Sequence, residues 1–174
     1  VLPVGPTCPS RAERGQPGPG LKRYTDQTRH RTRRFLGAID TSQGEAIRGQ
    51  LATVHSPGLN LRLHGLGLFQ RPRKTVLWVG LEKSEPLHKL KRAIDLALHR
   101  AGLLPERAPY RPHLSLARQK EPASQQLLNL VETRRDFSLD WPNVGEFILY
   151  QSDLLPQGAL HTPLARYPLQ DLSQ

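Results

Sequence analysis

Cysteine is almost missing from this 174-residue chain, where Cys8 stands alone. A lone thiol excludes an internal disulfide framework and a zinc site built on cysteines. It fits a reducing, cytoplasmic compartment. Methionine is absent altogether, so Val1 is not a standard start residue. No run of about 18 apolar residues occurs, so no membrane span is expected. Residues 1–20 also lack the apolar stretch of a signal peptide. Acidic side chains are scarce: 15 Asp and Glu stand against 25 Lys and Arg, a net charge of +10. That balance favours polyanionic partners, nucleic acid above others. No Asp/Glu/His cluster at metal-ligand spacing and no Gly-rich phosphate loop before a helix is present. Neither a metal site nor nucleoside triphosphate chemistry is therefore expected, and no cofactor is implied.

What is there begins with an uneven distribution. Residues 1–34 hold eight of the basic residues and only two acidic ones, Glu13 and Asp26. Residues 1–20 also contain five prolines and four glycines. Such a stretch cannot hold a regular helix or a central strand and reads as loop or disorder. Beyond it the patterns sharpen. Thr41 or Ser42 caps a short helix through about His55, with Ile47, Leu51 and Val54 in its apolar stripe. Leu59 to His64 alternates as a half-buried strand and continues through Gly65 to Phe69. Gln70 to Lys74 is a basic turn, and Thr75 to Leu81 is a strongly apolar strand. Ser84 opens the clearest helix, with Leu87, Leu90, Ile94, Leu98 and Ala101 at helical spacing and Gly102 at its C-terminal end. A strand over Pro112–Arg118, a helix over Gln125–Thr133, a short strand over Phe137–Leu139, and two last strands over Gly145–Leu154 and Leu160–Leu169 complete the order.

Two distant segments share a signature. His30-Arg31-Thr32 and His113-Leu114-Ser115 each place a histidine two residues before a hydroxyl. On an extended strand, residues i and i+2 face the same side, so each segment points an imidazole and a hydroxyl at one spot. The histidines lie 83 residues apart, about half the chain, which fits two similar α+β lobes facing each other. Paired in that way they make a metal-free phosphoryl-transfer site. One imidazole takes a proton and the other gives one. Thr32 and Ser115 donate hydrogen bonds to phosphate oxygens, and Arg118 adds a charge-assisted contact. Tyr110, three residues before the second motif, either stacks on a base or anchors the connector. Of the other histidines, His55, His64, His88 and His99 read as solvated surface and His161 as structural. Arg71, Arg73 and Lys74 read as a solvated turn that can also lie beside RNA phosphates.

The run His30-x-Thr32-x-x-Phe35-Leu36-Gly37 is followed in order by several further segments. These are Gly65-Leu66-Gly67-x-Phe69, Val76-Leu77-Trp78-Val79-Gly80, Pro112-His113-Leu114-Ser115-Leu116-Ala117-Arg118, Phe147-x-Leu149-Tyr150-x-Ser152 and Thr162-Pro163-Leu164. Together they resemble the bacterial and archaeal 2′-5′ RNA ligase family, the RNA 2′,3′-cyclic phosphodiesterases among the two-histidine (2H) phosphoesterases. The resemblance covers about residues 29–170. It implies an α+β, bilobal, pseudo-symmetric fold with two antiparallel sheets flanking a central cleft and helices outside. It implies His30 and His113 as the acid/base pair, Thr32 and Ser115 as phosphate binders, and Arg118 at the arginine that follows the second motif. It implies chemistry without metal or ATP that opens a 2′,3′-cyclic phosphate to a 2′-phosphate, with reversible 2′-5′ joining in some members.

Residues 1–28 depart from the family, which begins with an apolar strand and a helix, and Arg31 and Arg33 replace apolar spacers in the first motif. The expected organisation is thus an atypical Pro/Gly/Arg-rich segment over 1–28 and one domain over 29–174. The expected partners of this monomer are RNA ends, tRNA-like or oligonucleotide. Two rival readings keep the fold but change the activity: a non-catalytic RNA- or nucleotide-binding protein, and a phosphodiesterase on a small cyclic nucleotide.

Overall fold

A computed structural model of the chain describes residues 2–4, 22–23, 36–106, 109–155 and 158–170. In chain order its elements are β1 (Leu2–Val4), β2 (Lys22–Arg23), α1 (Thr41–Ala52), β3 (Leu59–Arg71), β4 (Lys74–Leu81), α2 (Glu85–Arg100), β5 (His113–Gln119), α3 (Gln125–Thr133), β6 (Ser138–Val144), β7 (Glu146–Leu155) and β8 (Gly158–Pro168). They form two antiparallel sheets, β2-β5-β4-β3-β6 and β1-β7-β8. The architecture is α+β, as expected.

The helices follow from their ends. Ser84 caps α2 by accepting from the Leu87 N–H, Pro86 sits in the first turn, and His99 and Arg100 lie in the last. Beyond it Gly102 takes a φ of +85°, with Gly102 N–H donating to His99 O and Leu103 N–H to Leu98 O. That reciprocal pair is a Schellman stop, which needs a residue free to turn left-handed. The cap of α1 is Asp40 rather than Thr41 or Ser42. Its Oδ1 accepts from Gln43 N–H at 2.8 Å and from the Ser42 hydroxyl at 2.8 Å. A carboxylate accepts two bonds at once, so the nearby hydroxyl becomes its donor. The helix ends at Ala52, short of His55, because the Thr53 hydroxyl turns back to Gln50 O.

One core joins both sheets. It gathers Leu61, Leu63, Val79, Leu81 and Leu114 of the larger sheet, Leu90, Ile94 and Leu98 of α2, Ile47 and Leu51 of α1, and Phe147, Leu149 and Tyr167 of the β7–β8 hairpin. A smaller cluster, Leu77, Ala117 and Leu127, lies under α3. All three helices therefore attach to buried faces. At Gly65 the β3 register shifts, with φ at +66°, so Leu66 and Leu68 rejoin the helix side while Gly67 and Phe69 turn to the other.

Two strands correct the sequence reading. Residues 1–20 read as loop or disorder, yet Leu2–Val4 pairs with β7 at a sheet edge, where Pro3 is tolerated. The short strand expected at Phe137–Leu139 runs instead from Ser138 to Val144. It is also an edge, so Pro142 fits, and Asn143 takes a φ of 59° while its N–H donates to the Asn60 side chain at 3.1 Å. Among the described residues no helix is long and apolar enough to cross a membrane.

Candidate active site

The face of the larger sheet turned away from the helices is built by β3, β4 and β5. On β5, His113 pairs with Gly80, Ser115 with Trp78, Ala117 with Leu77 and Arg118 with Val76. The register shifts between Ser115 and Ala117, making Leu116 an extra residue. In a regular strand His113 and Arg118, five apart, would face opposite sides. The bulge restores them to one side. Directly paired residues share a face. His113, Ser115 and Arg118 therefore line up along one face beside Gly80, Trp78 and Val76.

His113 is held from two directions. Its Nδ1 lies 2.7 Å from the Arg111 carbonyl oxygen. That oxygen can only accept, so Nδ1 donates, and in the neutral ring Nε2 carries the lone pair. Phe69 stands nearly perpendicular to the imidazole, 84° between planes and 4.9 Å between centroids, and Trp78 lies 6.2 Å away. Phe69 and Trp78 also touch each other at 5.2 Å.

Two glycines permit close approaches here, Gly67 to the Trp78 ring and Gly80 to the β3 backbone. A Cβ at Gly67 would fall 2.1 Å from the Trp78 ring, and one at Gly80 would fall 2.6 Å from the His64 carbonyl oxygen. The indole thus lies flat across β3. Its Nε1 is buried and has no hydrogen-bond partner among the described residues.

The other candidates fall out differently. Arg118 is exposed and Ser115 half-buried on the same face as His113. Tyr110 instead packs on α2, edge-on to His88 at 5.6 Å and beneath the Lys91 ammonium at 5.3 Å. His161 accepts or donates at 2.8 Å with the Ser152 hydroxyl across the exposed β7–β8 hairpin. His30 and Thr32 lie outside the described residues. Among the described residues no three His, Cys, Asp or Glu side chains group as metal ligands would.

The sequence reading gave Phe69, Trp78 and Gly67 no chemical role, although period-two alternation puts Gly67 and Phe69 on one face of β3. The Arg111 carbonyl carried no side-chain signal at all. Chemically, the face offers an imidazole with a set tautomer, a hydroxyl two residues on, and a guanidinium. That combination suits an anionic tetrahedral group with a proton to move.

The family described as the 2′-5′ RNA ligase superfamily matches residues 18–153. An RNA 2′,3′-cyclic phosphodiesterase of Aeropyrum pernix is 30% identical over 150 residues, covering 84% of this chain and 85% of the relative. That of Methanothermobacter thermautotrophicus is 28% identical over 145 residues, covering 80% of this chain and 78% of the relative. The crystal structure of E. coli LigT complexed with 3′-AMP shares the fold at a TM-score of 0.67 and 24% identity, covering 88% of this chain and 84% of that one.

Proposed function

This chain belongs to the 2′-5′ RNA ligase superfamily, and from that premise we propose that it is an RNA 2′,3′-cyclic phosphodiesterase, acting through residues 29–174 on RNA ends. The observation that carries the reading is the His113 imidazole, whose Nδ1 is committed to the Arg111 carbonyl while Ser115 and Arg118 share its face. The ring is thereby presented as a base through Nε2.

In the proposed reaction a water oxygen attacks phosphorus, and its proton passes to His113 Nε2. The bond from phosphorus to the 3′ oxygen breaks, and His30 gives a proton to that oxygen. The product carries a 2′-phosphate. Thr32 and Ser115 donate to the non-bridging oxygens, whose charge grows in the transition state. Arg118 supplies a cation with a planar, forked donor set. Run in the same direction with an RNA 5′-hydroxyl in place of water, the same groups form a 2′-5′ linkage, and the reverse reaction cleaves it.

Each proton-transfer group is worth roughly 10²–10⁴-fold. The test is turnover of an RNA oligonucleotide ending in a 2′,3′-cyclic phosphate, with EDTA present and the product ends mapped. A 2′-phosphate product, lost in both His30→Ala and His113→Ala while the variants stay folded, supports the proposal. Unchanged hydrolysis in either variant sinks it. Binding of the oligonucleotide without turnover supports instead a non-catalytic RNA-binding protein of the same fold.

A further inference from the structure

The three central strands of the larger sheet, β3, β4 and β5, contain no Asp or Glu. Their basic residues concentrate at one end. Arg71, Arg73 and Lys74 form the β3–β4 turn, and Arg118 and Lys120 close β5 beside it. All five are exposed. The register places them together: Arg71 pairs with Lys74, Gln70 with Thr75 and Thr75 with Gln119, while Val76 links Phe69 to Arg118. β2, with the sequence Lys22–Arg23, pairs with Arg118 and Ala117 at the adjoining edge. The loop that follows β5 is tied down by the Thr75 hydroxyl, which donates to the Glu121 carbonyl at 2.8 Å. Glu121 supplies the nearest carboxylate in that loop.

Elsewhere on the surface five cations are matched, whereas scattered ones such as Lys83, Lys89 and Arg100 are not, among the described residues. Arg62, Lys91, Arg92, Arg135 and Arg166 each reach a carboxylate. Arg71, Arg73, Lys74 and Lys120 have no such partner among the described residues. Like charges gathered without counter-charge cost the fold some self-repulsion, and an anion across them relieves it.

Direction matters as much as charge. His113, Ser115 and Arg118 lie in that order along β5, and the line runs about 15 Å toward the basic turn. We infer that this sheet end is a binding track for the sugar–phosphate backbone of the single-stranded RNA that leads to the cyclic end. The inference rests on the proposed hydrolase reading for the position of that end. The cyclic phosphate sits at His113, Ser115 and Arg118, and the preceding phosphates run on from there to the turn. Small cyclic mononucleotides occupy only the His113 end, so the track selects for polymer.

The test uses the full chain and the variant R71Q/R73Q/K74Q, none of whose positions serves the proton transfers. Thermal melts first check that both proteins are equally folded. Turnover is then compared on a mononucleotide 2′,3′-cyclic phosphate and on an oligonucleotide of about ten residues with the same end, across a salt series. The expected result is unchanged mononucleotide turnover. On the oligonucleotide, kcat/KM falls at least about tenfold, and the slope of its logarithm against log salt shrinks by about 2, from three lost contacts at about 0.7 each. Equal effects on both substrates, or no effect on the oligonucleotide, overturn the track. A parallel titration follows binding of a fluorescent, 3′-phosphorylated oligonucleotide. Should the wild type turn over neither substrate, the hydrolase reading fails. The track is then judged by that titration alone, where an unchanged Kd in the variant overturns it and a weakened, less salt-sensitive one supports it.

Discussion

Replacing Gly67 by alanine should destabilise this protein, although the same change in an open strand would help it. The added Cβ would lie 2.1, 2.4 and 2.6 Å from three atoms of the Trp78 ring. A rigid bicyclic ring cannot yield by bending an end. It must swing as a whole, and Phe69 already packs on it at 5.2 Å. Overpacking of this kind costs about 1–3 kcal/mol. Against it stands a gain of about 0.5–1 kcal/mol from the backbone freedom that glycine loses on folding. The net loss centres on about 1 kcal/mol and reaches at most about 2.5 kcal/mol, roughly 2–4 °C in Tm per kcal/mol for a chain of this size. The decisive assay is a double-mutant cycle in urea, with Gly67→Ala, Trp78→Leu and the pair. With the indole gone, Gly67→Ala should become neutral or stabilising, giving a coupling of about 1–3 kcal/mol. An equal cost in both backgrounds would refute the claim that the glycine exists to let the ring lie flat.

Further outcomes are expected at other positions. Ser115→Ala should lower kcat on a cyclic-phosphate oligonucleotide by about 10²-fold, while Ser115→Thr keeps most of it; a loss smaller than about tenfold would remove the hydroxyl from the site. The Asp40 carboxyl is held below its usual range by the Gln43 N–H and then by the Ser42 hydroxyl. Its stabilisation should be whole above the ordinary Asp value and fade as pH falls through the lowered folded value. Denaturant melts of wild type and Asp40→Ala should therefore differ by a constant amount near neutrality and converge in acid. A gap that stays the same width down to about pH 2 would contradict this.

Much of the fold was legible because local signals agreed with the tertiary outcome. Ser84 with Pro86 and the Leu90–Ile94–Leu98 stripe announced α2, and the apolar run through Trp78 announced β4. Helix α3 occupies the expected Gln125–Thr133. The misses share a cause: each depends on a partner distant in sequence. Leu2–Val4 is a strand because β7 offers an edge, and β6 outlasts Leu139 because β3 pairs with it as far as Val144. Of the site, the His113–Ser115 spacing was readable, since period-two alternation needs no partner. That Arg118 shares their face was not, because it depends on a bulge revealed only by pairing with β4. The partner motif at His30 and Thr32 lies outside the described residues.

The hydrogen bond from His113 to residue 111 ends on a main-chain oxygen. Every substitution at that position leaves the oxygen in place, so alanine scanning would pass over it without a signal. The tautomer of the imidazole is in this sense written into the path of the chain rather than into a side-chain alphabet. A variant that lost it would have to bend the backbone entering β5, and it would surface in a screen as damage to the strand rather than as a missing residue.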